Sequence, residues 1–426
     1  MAGVTTPPSD VKGELRAVEE NSESTEKKDA LIKHMDINVP EAEKRINGAL
    51  NLHDFYTVYL IETKVTDPVW LKNQQGGTIV RLGSLWRRYT EFEILHNYLS
   101  SMYPYIVLPP LPEKRVLYSW QKVATDTFDP DFVDRRRAGL ENFLLRIASH
   151  PILSFNQQFL AFLQQEHGWQ PSAKEHGYFQ QLAESTQKSM IGLRELDKRF
   201  EQVKNYSNEL QGNMTNILRV RAVLAERLYG IHKLHANYGR IFSEWSAVEK
   251  DMGDGLQKAG HYLDSVAASI DTALEEEELL ADQLKEYLFS AGALHTVCCR
   301  HEMLQFQVER AQDLVQQNVA KLERVQQGKT SFMSRIFGTV DTDELREERV
   351  SVLEQRIEEH KGSVTNTMEQ RDTFSKAALL DIQRFQEQKV IDMRETFANY
   401  IMLQMKIARK GLQTWTHIRD CLESIN

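Results

Sequence analysis

Trp86-Arg87-Arg88-Tyr89-Thr90-Glu91-Phe92, Pro109-Pro110-Leu111-Pro112-Glu113-Lys114 and Arg135-Arg136-Arg137-Ala138-Gly139-Leu140-Glu141 follow one another in that order along the chain. Each sets a cation beside rigid or aromatic backbone, and together they can surround one small polyanion. The residues around them read as a small sheet with helices. Phe55 to Ile61 is rich in aromatic and β-branched residues, the signature of a strand. A loop holding Pro68 and Gly76-Gly77 leads to a second strand, expected from about Thr78 to Tyr89. An amphipathic helix follows from Thr90 to about Met102, with Phe92, Leu95 and Leu99 along one side. Pro109 to Pro112 fits neither helix nor central strand and reads as a rigid polyproline-like segment. Two more helices, Pro130 to about Ser149 and Ser154 to about Gln165, complete an α+β domain.

What comes next is of a different kind. All eleven prolines lie at or before Pro171, so 255 residues run on without one. Apolar residues there fall at helical spacing, beginning with Leu182, Thr186, Met190, Leu193, Leu196, Phe200 and Val203. Breakers cluster at Gly253-Asp254-Gly255 and from Gly328 to Gly338, which divides the region into three helices. The second and third would be roughly 110 and 120 Å long at the standard helical rise. Such helices need partners along their length, from their own chain and from a second one. Leu218, Val220, Leu224, Leu228 and Ile231, with Phe385, Ile391, Phe397, Ile401 and Met405, mark the seam expected to be buried. A non-dimeric coiled coil or a spectrin-like bundle has the same pattern.

Composition bounds the function. A formal net charge of −9 argues against nucleic-acid binding and leaves attraction to an acidic membrane to local basic patches. Three cysteines, Cys298, Cys299 and Cys421, make no disulfide framework and suit a reducing cytosol. Met1 to Arg16 has no apolar core of a secretory signal, and no run of about 18 apolar residues occurs, so peripheral membrane contact is the expectation. Residues 1–32 are Ser-, Thr-, Glu- and Lys-rich and read as a disordered tail.

Inositol phosphates match the chemistry of the three motifs. Their recognition calls for guanidinium forks on phosphate oxygens, a flat aromatic against the ring, and donors for free hydroxyls. Arg88 and Tyr89 can supply fork and platform, Lys114 a point charge for a second phosphate, and Arg136 bonds to the remaining hydroxyls. The order and spacing resemble the phosphoinositide-binding PX domain. By that resemblance Arg88 takes the 3-phosphate, Tyr89 stacks on the inositol, Lys114 contacts the 1-phosphate and Arg136 holds the 4- and 5-hydroxyls. The implied ligand is phosphatidylinositol 3-phosphate, the lipid of early endosomes.

The proline-free region, with segments such as Arg219-Val220-Arg221, Tyr238 to Ser246 and Ala281 to Tyr287, resembles the BAR domain. The whole is similar to sorting nexins of the PX-BAR subfamily. This resemblance implies a PX domain at 33–168, a linker or amphipathic helix at 169–192 and a BAR domain at 193–426. The BAR region would be a long three-helix antiparallel coiled coil, dimeric, pairing with itself or with a related sorting nexin. Cargo sorting and recycling from the cytosolic face of early endosomes, with a tie to autophagy, is the implied role. A coiled-coil scaffold using its PX domain mainly for protein contacts is the alternative.

Two segments are candidates for membrane insertion. Val116, Leu117, Tyr118 and Trp120 follow Lys114 directly; their other reading is packing against the domain's own core. Phe332, Met333, Ile336 and Phe337 alternate with cations between two glycines and would lie at a BAR tip, or fold back on helix ends. Tyr178 to Leu193 is either a membrane-active linker helix or an extension of the first long helix. Nothing amounts to enzyme chemistry. Gly328-Lys329-Thr330 lacks the earlier glycine of a P-loop. His295, Cys298, Cys299 and His301 have zinc-binding chemistry, but a straight helix presents them poorly to one ion, so buried thiols are expected and no metal or cofactor. Glu275 to Glu278 reads as a solvated helix face.

Overall fold

The computed structural model describes residues 30–46, 55–67, 83–114, 128–171, 194, 196–327 and 343–424. The α+β domain carries a three-stranded antiparallel sheet in the order β1 (Met35–Ile46), β2 (Phe55–Val65), β3 (Ser84–Arg88). β1 has no counterpart in the sequence reading, and its composition explains why. Met35, Ile37 and Val39 alternate inward, but Pro40 and the charged run after it break the pattern. The structure accommodates Pro40 at a register shift between Asn38 and Glu41, where the missing N–H costs no ladder bond. Leu31, expected in the tail, is fully buried in the domain core.

Helix α1 (Tyr89–Met102) starts directly where β3 ends, and Phe92, Leu95 and Leu99 lie fully buried beneath the sheet. Helix α2 (Pro130–Ser149) has a strong start. Asp129 accepts the N–H groups of Asp131 and Phe132, and Pro130 fills a first-turn position that needs no donor. Helix α3 (Gln157–Gln164) is capped by Asn156 in the same way. One core joins Tyr59 and Ile61 of the sheet to Phe92, Phe143, Phe159, Phe162 and Trp169.

The remainder is helical: α4 (Lys198–Ser246), α5 (Gly253–Glu276), α6 (Glu278–Gln326) and α7 (Asp343–Glu423). The 81 residues of α7 give it a length of about 120 Å. α5 and α6 run back along α4, and α7 returns antiparallel along both, so the expected small antiparallel sheet with helices, followed by long antiparallel helices, is what the chain adopts. Two boundaries differ from expectation. Gly253 to Gly255 begin α5 and are not the turn, which falls at 247–252. The second helix is interrupted at Glu277, whose side chain is buried and accepts from Gln404, contrary to the solvated face read from four consecutive glutamates. Gly239 and Gly260 let α4 and α5 touch backbone to backbone, since a Cβ on Gly260 would stand 2.9 Å from the Gly239 carbonyl oxygen.

The seam is only partly filled. Leu218 is fully buried, yet Val220, Leu224, Ile231, Ile391, Phe397, Ile401 and Met405 face solvent. Buried contacts concentrate where the α+β domain sits on α6 and α7. Val107 joins Leu294, Val297, Cys298, Phe374 and Ala378 in one cluster. Its N–H donates to Asp381, which also pairs with His150 at 2.8 Å.

Candidate functional site

The end of β3 places the Arg-Arg-Tyr motif. Side chains alternate across a strand, so Leu85 and Arg87 point inward while Arg88 points out. Arg87 is almost wholly enclosed, and its guanidinium donates to the Phe162 and Gln165 carbonyls and pairs with Glu91 at 3.2 Å. Burial lowers its pKa, an effect that Glu91 opposes. It ties the sheet to the C-terminal end of α3. Arg88 is exposed, its guanidinium 3.6 Å from the centre of the Tyr56 ring on β2. Its backbone N–H donates to Glu91 at 2.8 Å, which fixes the strand-to-helix corner.

Tyr89 opens α1 and donates its hydroxyl to the Pro112 carbonyl at 2.6 Å. Burial, then the Glu93 carboxylate, pushes its phenol up to about 12, so it stays a donor at neutral pH. Its ring is flanked by two cations from distant segments: the Arg136 guanidinium at 5.2 Å and the Lys114 ammonium at 5.8 Å. Arg136 also donates to the Lys114 carbonyl at 2.9 Å. Lys114 is well exposed and pairs with Glu93 at 2.6 Å. Beneath them, burial raises the Tyr59 phenol, and Arg136 opposes the shift.

The three consecutive arginines of α2 diverge, as a turn of about 100° per residue requires. Arg135 pairs with Glu278 of the helical body at 2.6 Å, Arg136 faces Tyr89, and Arg137 donates to Asp134 and to the Val39 carbonyl. Tyr89, Lys114 and Arg136 are therefore brought together. Arg88, next to Tyr89 in the chain, instead has its head over Tyr56. The arrangement offers an exposed cationic rim over a half-buried aromatic and suits a phosphorylated ring.

Three residues that shape this site had no role assigned from sequence. A Cβ on Gly139 would stand 2.7 Å from Pro112 Cβ, so only glycine lets α2 approach the proline segment this closely. Glu141 accepts the Val39 N–H at 2.6 Å and holds β1 against α2. Glu93, the partner of Lys114, is a carboxylate at the rim.

The candidate insertion residues Val116, Leu117, Tyr118, Trp120, Phe332, Met333, Ile336 and Phe337, and the stretch Tyr178 to Leu193, lie outside the described residues. Cys298 is packed in the α6–α7 core, where burial pushes its thiol up to about 12. Among the described residues no group of His, Cys, Asp or Glu is placed to hold a metal ion, and no helix is long and apolar enough to cross a membrane.

The PX domain family matches residues 83–166, the span that holds all three motifs. Sorting nexin-4 of Homo sapiens is 47% identical over 404 residues, covering 92% of this chain and 88% of the relative. Sorting nexin-30 of Xenopus tropicalis is 27% identical, over 86% of this chain and 74% of that one. Among solved structures, the Imp2 F-BAR domain aligns with 60% of this chain and 81% of its own at 12% identity, and its TM-score of 0.35 is too low to define a shared fold.

Proposed function

The chain belongs to the sorting nexin family, and we propose that it is a peripheral membrane protein whose PX domain binds phosphatidylinositol 3-phosphate through Arg88, Tyr89, Lys114 and Arg136. One observation carries this reading. Cations from two segments far apart in sequence flank the ring of Tyr89, with a third cation, Arg88, beside it at the surface. Arg88 takes the 3-phosphate, Lys114 the 1-phosphate, and Arg136 the ring hydroxyls, while Glu93 at the rim disfavours extra phosphates.

The helical body acts as a BAR-type dimer, formed by two copies of this chain when purified or by this chain with a related sorting nexin. Its exposed apolar stretches on α4 and α7 form the contact between the two chains. A dimer presents two headgroup sites to one surface, so weak single sites become strong binding by effective concentration. The whole recognises early endosomal membrane and serves sorting, recycling and autophagy-linked traffic.

The test is flotation with vesicles containing phosphatidylinositol 3-phosphate or, as control, unphosphorylated phosphatidylinositol. Wild type is expected to float only with the 3-phosphate, and Arg88→Ala to stay in solution at least ten-fold more. Equal flotation of both proteins on both vesicles overturns the assignment.

A further inference from the structure

The residue immediately before each of two proposed headgroup cations is held by the helical body. Glu113 precedes Lys114, and its carboxylate accepts from Lys285 of α6 at 3.0 Å. Arg135 precedes Arg136 and pairs with Glu278, the first residue of α6, at 2.6 Å. The Lys285–Glu113 pair is largely shielded from water, at 9% and 13% exposed, while the Arg135–Glu278 pair is half-buried, at 30% and 18%. Lysine is rarely buried to this degree without a partner that fixes its place.

The geometry converts these contacts into control of the site. Successive side chains of a polyproline-like segment are turned by about 120°, so holding Glu113 against the body turns Lys114 away from it, where its side chain is exposed. On α2, one residue of rotation separates Arg135, facing the body, from Arg136, facing Tyr89. The two anchored segments then meet directly, because Arg136 donates to the Lys114 carbonyl at 2.9 Å. Glu278 is itself fixed from behind by Arg221 of α4 at 2.7 Å.

We propose that Lys285 and Glu278 of the helical body are positioning residues for the PX headgroup site, setting the separation of Lys114 and Arg136 through Glu113 and Arg135. The proposal rests on the headgroup reading of the site given above. A site held this way loses less freedom on binding, so its affinity belongs to the full chain and not to the PX fold alone.

Calorimetric titration of the full chain with soluble inositol 1,3-bisphosphate tests it, since a soluble headgroup removes membrane avidity. Lys285→Met is expected to weaken binding about five- to ten-fold, and Lys285→Arg to keep it within two-fold. Glu113→Gln is expected to match Lys285→Met, and the double variant to be no weaker than either, because all three break one link. Arg146→Met removes another contact between the domains, with Glu286 of α6 and Asp392 of α7, and is expected to leave the affinity unchanged. Unchanged binding in Lys285→Met overturns the proposal. So does an equal loss in Arg146→Met, which would mean that docking alone matters, and so do additive losses in the double variant. A wild-type chain that takes up no headgroup overturns the proposed function itself, and the positioning role with it.

Discussion

In the α+β domain Tyr59, Ile61, Phe92, Leu95 and Phe143 are sealed from water, whereas Val220, Leu234, Ile391, Met402 and Leu412 on the helical body are each more than half exposed. Both sets are apolar residues at regular spacing in their elements. The first set closes on itself because strands, α1 and α2 supply facing surfaces within about 130 residues of one chain. The second lies on helices that the elements of this one chain leave uncovered at those positions. α4 and α7 are buried where α6 and the docked domain meet them, and beyond that their buried apolar contacts thin to one small cluster of Ala259, Leu263 and Ile418. On the proposed function, the finished, rigid fold is the reader of a small ligand, and the unfinished face is the one that recruits a second chain.

The α+β side of this comparison breaks first at Arg87. Replacing it with Met leaves the Phe162 and Gln165 carbonyls without their charged donor inside the core. The expected loss is about 3 kcal/mol in urea unfolding followed by tryptophan fluorescence. Arg88→Ala, one residue on and exposed, should stay within about 0.5 kcal/mol. Similar losses in the two variants would mean that the motif is not divided between an inward and an outward arginine.

The buried part of the helical body can be sharpened through His301. It stacks on Phe200 at 3.7 Å, and burial depresses its pKa to about 4, with Asp197 opposing and Arg371 and Arg199 adding to the shift. The sign follows from the depressed value. The unfolded chain takes up a proton near pH 6.5 and the folded chain does not until about 4. Stability is therefore full above pH 6.5 and falls as the pH drops toward 4. At pH 5 the loss relative to pH 7.5 is about 2 kcal/mol from this group. The His301→Phe variant should lack that part of the pH dependence, and an unaltered profile would place His301 in contact with water.

Much of this architecture is local and therefore readable in the chain. Tyr89, Lys114 and Arg136 could be picked out as candidates because each sits in a short motif: a strand end, a proline segment and the second turn of a helix. The division between Arg87 and Arg88 was not read from the sequence; it follows from Arg87 sharing the strand face of buried Leu85. What else escaped depends on partners distant in sequence. Glu277 reads as one of four solvated glutamates until Gln404 is brought against it. Glu278 and Lys285 carry no motif, and their meaning comes from Arg135 and Glu113, more than 140 residues earlier. Strand β1 was hidden by Pro40 and its charged neighbours, which the sheet tolerates at an edge.

The unfinished face is the centre of the account, and vesicle binding by a chain unable to pair tests it most directly. Ile401→Asp with Leu412→Asp places charges on two exposed positions of α7 without touching the PX site. The expected result is a monomer by sedimentation, normal affinity for soluble inositol 1,3-bisphosphate, and vesicle binding weakened by a factor on the order of 100. Vesicle binding equal to that of wild type, by a chain that sediments as a monomer, would contradict it.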